Sequence, residues 1–202
     1  RLMMEVVRQL GLTVNYSTKE GLRTKDLYGQ NPIEVEFIND NDLQSFRFDV
    51  TLLSDRKILL GRFETFGPNK QKFKQEISAV LGDTISTPVG QMIVRPTLYL
   101  TPESAEEPIT VTKYNINSVT QSYQAAVKSF VANKQASIIT LTMKSSVPRK
   151  AEDILNTLIA VYEKDAIEDK RSIAENTGHF IDNRLEVISR ELSEVDKDIE
   201  KF

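Results

Sequence analysis

From Pro148 to Phe202 the sequence carries a helical pattern that no glycine other than Gly178 and no further proline interrupts, with charged residues interleaved among apolar ones throughout. Pro148 suits a first helical turn, where its missing N–H has no intrahelical partner to lose. Ile181, Leu185, Ile188, Leu192, Val195, Ile199 and Phe202 recur at spacings of four and three, the period of a heptad seam. Traced backwards, the seam meets Gly178, Ala174, Arg171 and Ile167, so it is weak there and strong towards the end. At 1.5 Å per residue, a helix of roughly 55 residues is about 80 Å long. A compact domain of this size cannot contain that length. The distal half is therefore expected to project and to find a partner helix, either the returning half of the same chain or another subunit.

The first 147 residues read differently. LMMEVVRQLGL places Met3, Val6, Val7 and Leu10 at helical spacing, with Gly11 positioned to end the turn. IEVEF alternates Ile33, Val35 and Phe37 with two glutamates, the pattern of a half-buried strand, and FRFDVTLL alternates Phe46, Phe48, Val50 and Leu52. The turn at SDRK joins the latter to KILLGRFETF as an antiparallel pair. After Gly67 and Pro68, the spacing of Phe73, Ile77, Val80 and Leu81 predicts a helix that stops near Gly82. TPVGQMIVRPTLYL and PITVTKYN read as extended, with Pro96 marking an edge or interrupted strand. NINSVTQSYQAAVKSFVANK places Tyr123, Ala126, Val127, Phe130 and Val131 on one helical face with Ser118 as its cap, and the β-branched run ASIITLTMKSS predicts another strand. The expected fold is α+β: a base at residues 1–147 with a mixed sheet packed by helices, continuing into the long helix at 148–202, one domain overall.

Composition excludes several functions. A net charge of -3 and a pI near 5.4, with no basic run, argue against nucleic acid and an anionic membrane surface as direct partners. Absence of cysteine removes disulfides, thiolate metal sites and cysteine nucleophiles. No run of roughly 18 apolar residues occurs, and the chain opens at Arg1. It reads as an interior fragment and, if cut from a membrane protein, as one whose spans lie outside it at both ends.

Catalytic equipment is missing as well. His179, the only histidine, lies between Gly178 and Phe180 with no second histidine to share a metal or a nucleophile. HExxH, GxSxG, GxGxxG and P-loop patterns do not occur. Asn39, Asp40, Asn41 and Asp42 offer oxygen ligands of the kind calcium prefers, but without the glycine and terminal glutamate of an EF-hand loop they read as a hairpin loop. Glu103, Glu106 and Glu107 read as a solvated loop rather than as an acid/base pair. Helical pairs such as Glu168 with Arg171 and Glu186 with Arg190 solubilise the long helix, each contributing about 0.2–0.5 kcal/mol. Catalytic residues, metal ligands and cofactor sites are therefore expected to be absent from this chain.

The stretch SSVPRKAEDILNTLIAVYEKDAIEDKRSIAENTGHFIDNRLEVISREL resembles the end of the Wzz chain-length determinant domain, as it occurs in the periplasmic loop of Wzc-like bacterial tyrosine autokinases. The matching positions are Pro148, Ala151, Leu155, Asn156, Tyr162, Phe180 and Ile181. GDTISTPVGQMIV resembles the segment ahead of an inner strand, with Gly82, Pro88 and Gly90 in place, while MMEVVRQLGLTVNY and DLYGQNPIEVEF resemble the entry helix and first strand. The resemblance implies a membrane-proximal base carrying a long helix that leaves, reverses and returns towards a second inner-membrane span. It further implies ring-like self-assembly in the periplasm, beside the polymerase or export machinery and its nascent glycan. Control over the length of capsular, O-antigen or exopolysaccharide chains would follow, with a cytoplasmic P-loop tyrosine kinase downstream in many members. No family catalytic residue maps onto the chain. The rival reading is a coiled-coil envelope adaptor of a transport or secretion system, which calls for a lipoyl-like or barrel domain flanking the hairpin.

Overall fold

The computed structural model describes residues 1–38, 41–54, 56–67, 70–101, 107–131 and 138–199, with side chains described as far as 190. The chain divides into two units, Arg1–Leu158 and Ile159–Phe202. The N-terminal turns of the long helix, residues 148–158, belong to the first of these.

In the first unit, α1 (Leu2–Gln9) buries Met3, Val6 and Val7 on one face and ends where Gly11 turns with φ +60. It lies against α2 (Ile116–Ala126), which buries Ile116, Val119 and Thr120. The strands are β1 (Val14–Glu20), β2 (Arg23–Asp26), β3 (Ile33–Ile38), β4 (Phe46–Leu52), β5 (Lys57–Thr65), β6 (Lys72–Phe73), β7 (Ile77–Val80), β8 (Thr84–Thr87), β9 (Gly90–Pro96), β10 (Ile109–Lys113), β11 (Val127–Val131) and β12 (Ile139–Met143). One sheet runs β2-β1-β10-β4-β5-β6, with β7 also paired to β5; a second runs β3-β9-β8; β11 and β12 form a separate two-stranded ribbon.

Every described pairing is antiparallel. The fold is thus α+β with antiparallel sheets, which corrects the expected mixed sheet: hairpins and loops connect the paired strands, and no strand–helix–strand crossover forces a parallel neighbour. Inward residues of both sheets build one core. Phe46, Phe48, Val50, Ile58, Leu60, Phe63, Ile109 and Val111 come from the larger sheet, and Ile33, Val35, Ile85, Met92 and Val94 from the smaller. Phe48 stacks on Phe63 with ring centres 5.6 Å apart, and the Phe37 ring meets Phe46 edge-on at 5.4 Å. Each fully buried aliphatic side chain contributes about 1.5–3 kcal/mol.

Four local expectations change. Residues 72–80 form β6 and β7 instead of a helix, because both pair with β5 and place Phe73 and Ile77 beside its core face. The helix expected to run through Val131 stops at Ala126, where Val127 turns extended (φ −79, ψ 123) and opens β11. Its cap is Asn115, not Ser118: the Asn115 Oδ1 accepts from the Asn117 N–H at 2.8 Å and the Ser118 N–H at 3.4 Å. Finally, Pro96 ends the central strand β9 rather than marking an edge, since at the last position opposite Ile33 no further ladder bond is asked of it.

The second unit consists of the remainder of α3 (Pro148–Ile199), one continuous helix that Gly178 does not interrupt. Phe180 is 70% exposed, and Ile167, Ile173, Ile181, Leu185 and Ile188 are exposed too. No described helix is long and apolar enough to cross a membrane.

Candidate functional site

The outward face of the larger sheet concentrates the charge. In FRFDV, Arg47 and Asp49 alternate with core residues, and in GRFET the residues Arg62 and Glu64 flank the buried Phe63. Pairing should therefore set these polar side chains side by side, and it does so through a bulge. Arg47 faces Glu64 and Asp49 faces Gly61, so that Arg62 and Phe63 together oppose Phe48. Arg62 adopts φ +52, a left-handed conformation that a side chain normally avoids. Bulges of this kind re-aim a side chain. Here the Arg62 guanidinium is brought onto the Asp49 carboxylate.

Asp49 also accepts a bond from the Thr110 hydroxyl at 2.7 Å. Glu64, whose side chain is only 6% exposed, sits among three cations: Arg47 Nε at 2.9 Å, Lys70 Nζ at 3.0 Å and Lys72 Nζ at 3.7 Å. The Lys70 ammonium, with Arg47 behind it, overcomes desolvation and holds the Glu64 carboxyl down at about 2. Phe66 receives the Arg47 guanidinium over its ring at 5.7 Å. A concavity of about 520 Å³ opens beside these charges, lined by Arg47, Asp49, Arg62, Glu64, Lys72 and Thr110 together with Lys19, Phe73, Lys74 and Glu76.

A second polar cluster fastens the first turns of α3. The Val147 N–H donates to the Ser145 hydroxyl at 3.1 Å, Val147 O accepts from the Ala151 N–H, and Pro148 is the first helical residue. Lys150 Nζ lies 3.2 Å from Asp26 Oδ2, 3.3 Å from Asn15 Oδ1 and 5.3 Å from the centre of the Tyr28 ring. The Tyr28 hydroxyl donates to Asp153 at 3.0 Å, and burial and that acidic partner push its pKa up to about 12. The Arg149 guanidinium lies across Gly29, where a Cβ would meet it at 3.5 Å. Ile154 is fully buried one turn further on. Nearby, Tyr16 accepts from the Val35 N–H at 2.8 Å and is pushed by burial to about 12.

The residues singled out from the sequence occupy three places. Gly82 and Gly90 lie on either side of β8 with φ of +93 and +124, and Pro88 lies in the β8–β9 turn, where Thr87 Oγ1 donates to Gly90 O at 2.6 Å. Pro148, Ala151, Leu155 and Asn156 lie in the fastened turns of α3, whereas Tyr162, Phe180, Ile181, Leu185 and Ile188 are exposed in the second unit. Leu192, Val195, Ile199 and Phe202 have side chains outside the described residues, as have Asn39, Asp40, Glu103 and Glu106 entirely. Asn41 and Asp42 serve the fold: Asn41 Oδ1 accepts from the Leu43 N–H at 3.0 Å, and Asp42 lies 3.6 Å from Arg8. On α3, Arg171 pairs with Glu175 at 2.8 Å rather than with Glu168, which faces Lys164. His179 is exposed, and among the described residues no group of three or more His, Cys, Asp or Glu side chains could hold a metal ion.

Sequence reading missed both polar clusters. The alternation of Arg47 and Asp49 with phenylalanines was the available signal for the first. Nothing in the sequence links Lys150 to Asp26 before the fold is known. No protein-family model matches the chain, and no curated protein matches it.

Proposed function

We propose that the chain is the periplasmic scaffold domain of a Wzz-like polysaccharide co-polymerase, most akin to those of tyrosine autokinases, and that it acts by self-association and not by catalysis. The reading is carried by one observation: a proline shortly after the last strand opens a 52-residue helix whose apolar side chains at Ile167, Ile173, Phe180, Ile181, Leu185 and Ile188 are exposed. A row of exposed Ile, Leu and Phe marks an interaction surface. The heptad spacing from Ile181 to Phe202 suits another helix as what covers it.

In this reading the fastened turns at Lys150 and Asp153 fix where the helix starts, and neighbouring copies and the returning helix cover the seam. The assembly stands at the inner membrane, close to the polymerase and its growing glycan, and sets how far the capsular, O-antigen or exopolysaccharide chain extends. Crosslinking of the full-length protein in membranes tests it. Ladders of oligomers are expected, together with an altered glycan length distribution when Leu185 is replaced by aspartate. Monomers alone in membranes would refute the scaffold role.

A further inference from the structure

The concavity beside the charged cluster of the larger sheet has a composition that the scaffold role does not use. Its lining supplies five cationic side chains, Lys19, Arg47, Arg62, Lys72 and Lys74, against three carboxylates, Asp49, Glu64 and Glu76. The whole chain is negative at -3, so this local positive excess runs against the protein's overall charge. Asp49 and Glu64 hold Arg62, Arg47, Lys70 and Lys72 in place before any ligand arrives. Lys19 and Lys74 are exposed, and neither has a carboxylate partner among the described residues. Their charge is available to an incoming anion.

The backbone points the same way. Arg62 holds a left-handed φ at the bulge, and left-handed conformations of ordinary residues cost about 1–3 kcal/mol and cluster at functional sites. The volume of about 520 Å³ lies inside the range of small-molecule sites. Phe73 gives the lining an apolar ring beside the charges.

Two features choose among anions. A phosphate can pair with the cations but has no apolar face to set against the Phe73 ring. A sugar acid presents a carboxylate for the cations, a hydroxyl donor for the exposed Glu76 carboxylate and a C–H face for an aromatic ring. We infer that the concavity binds an acidic saccharide of the uronate type, with its carboxylate between Lys74, Lys19 and Arg62 and its ring face towards Phe73. The inference goes beyond the scaffold reading and stands without it, because it rests on the lining alone.

The test is titration of the 202-residue chain with tetragalacturonic acid, followed by NMR and calorimetry at low and moderate salt, with maltotetraose and inorganic phosphate as comparison ligands. The expected result is binding of the acidic tetrasaccharide that weakens as salt rises, with the largest shifts at Arg47, Arg62 and Lys74. The pair Lys19→Glu and Lys74→Glu, both on exposed side chains, should weaken it tenfold or more with unchanged circular dichroism. Arg62→Gly should weaken it severalfold, since glycine adopts the bulge conformation freely. Equal binding of maltotetraose, equal binding of phosphate, no binding at all, or undiminished binding by the double variant would each overturn the inference. Crosslinking in membranes reads the scaffold role separately, so failure of one is distinguishable from failure of the other.

Discussion

Replacing Lys150 by methionine keeps the aliphatic stem and removes the charge that fastens the start of α3. Its ammonium is 3.2 Å from Asp26, with the two side chains 12% and 24% exposed. At an effective dielectric of about 20, that separation corresponds to a gross attraction of about 5 kcal/mol. Desolvation of both ions takes back most of it, and the net worth of the pair is about 1–2 kcal/mol. The single variant fares worse than that, because Asp26 keeps only the Tyr28 N–H at 2.9 Å and loses its cation. Lys150→Met is expected to destabilise the first unit by about 2–3 kcal/mol, below the roughly 3–5 kcal/mol seen for broken fully buried pairs. Asp26→Asn should cost about 1–2 kcal/mol, and the double variant should fall short of the sum by about 1–2 kcal/mol. At about 2–4 °C per kcal/mol for a domain of this size, Lys150→Met lowers the melting temperature by roughly 5–10 °C. Tyrosine fluorescence and near-UV circular dichroism are the appropriate readouts, because the chain has no tryptophan and far-UV signals are dominated by α3. A Lys150→Met variant within about 0.5 kcal/mol of the parent, or strictly additive single changes, would refute the reasoning.

Three further outcomes follow from the same structure. Glu64, held at about 2 against an ordinary 4.5, contributes stability that is complete above about pH 4.5 and is lost as pH falls towards 2; urea midpoints measured across that window should fall for the parent and lack this component in Glu64→Gln. Tyr16 and Tyr28 ionise near pH 12, not near 10, and their neutral forms stabilise the fold up to about pH 10 and lose that effect as pH rises through 12; tyrosinate absorbance should show these two of the six tyrosines titrating late. Gly178→Ala meets no neighbouring atom and should stabilise α3 by about 1 kcal/mol, read as increased helicity on heating; loss of helicity would contradict an uninterrupted helix there.

Where the sequence was legible, a single face of one element carried the whole signal. Met3, Val6 and Val7 in α1, the alternations of β3 and β4, and the unbroken run after Pro148 each declare their period without help from distant residues. Phe73, Ile77, Val80 and Leu81 did not, because four apolar residues at spacings of four, three and one suit a helix locally, whereas their partner strand β5 lies outside that window. Val127 to Val131 shows the same limit: β-branched residues continue the face of α2, and only the pairing of Val127 with Met143 and Val131 with Ile139 decides for a strand. β2, RTKD, has no apolar residue at all and exists through its pairing with β1. The charged concavity was half legible, in the alternation around Arg47 and Asp49. Its other half depends on a bulge that shifts register between β4 and β5, which spacing alone does not encode.

The position of β10 governs how this chain can fold as it is made. β1 and β2 form a local hairpin, and β4 and β5 form another, but the two meet only through β10, which lies between β1 and β4. Until residue 113 has emerged, both ribbons carry an unpaired inner edge, and such edges recruit strands from other chains. Pairings this distant in sequence close slowly. A chain threaded out from its N-terminus therefore spends its most aggregation-prone interval just before the segment ITVTK arrives, and a chaperone that shields the edges of β1 and β4 during that interval would raise the yield of folded protein more than any added stability in the finished sheet.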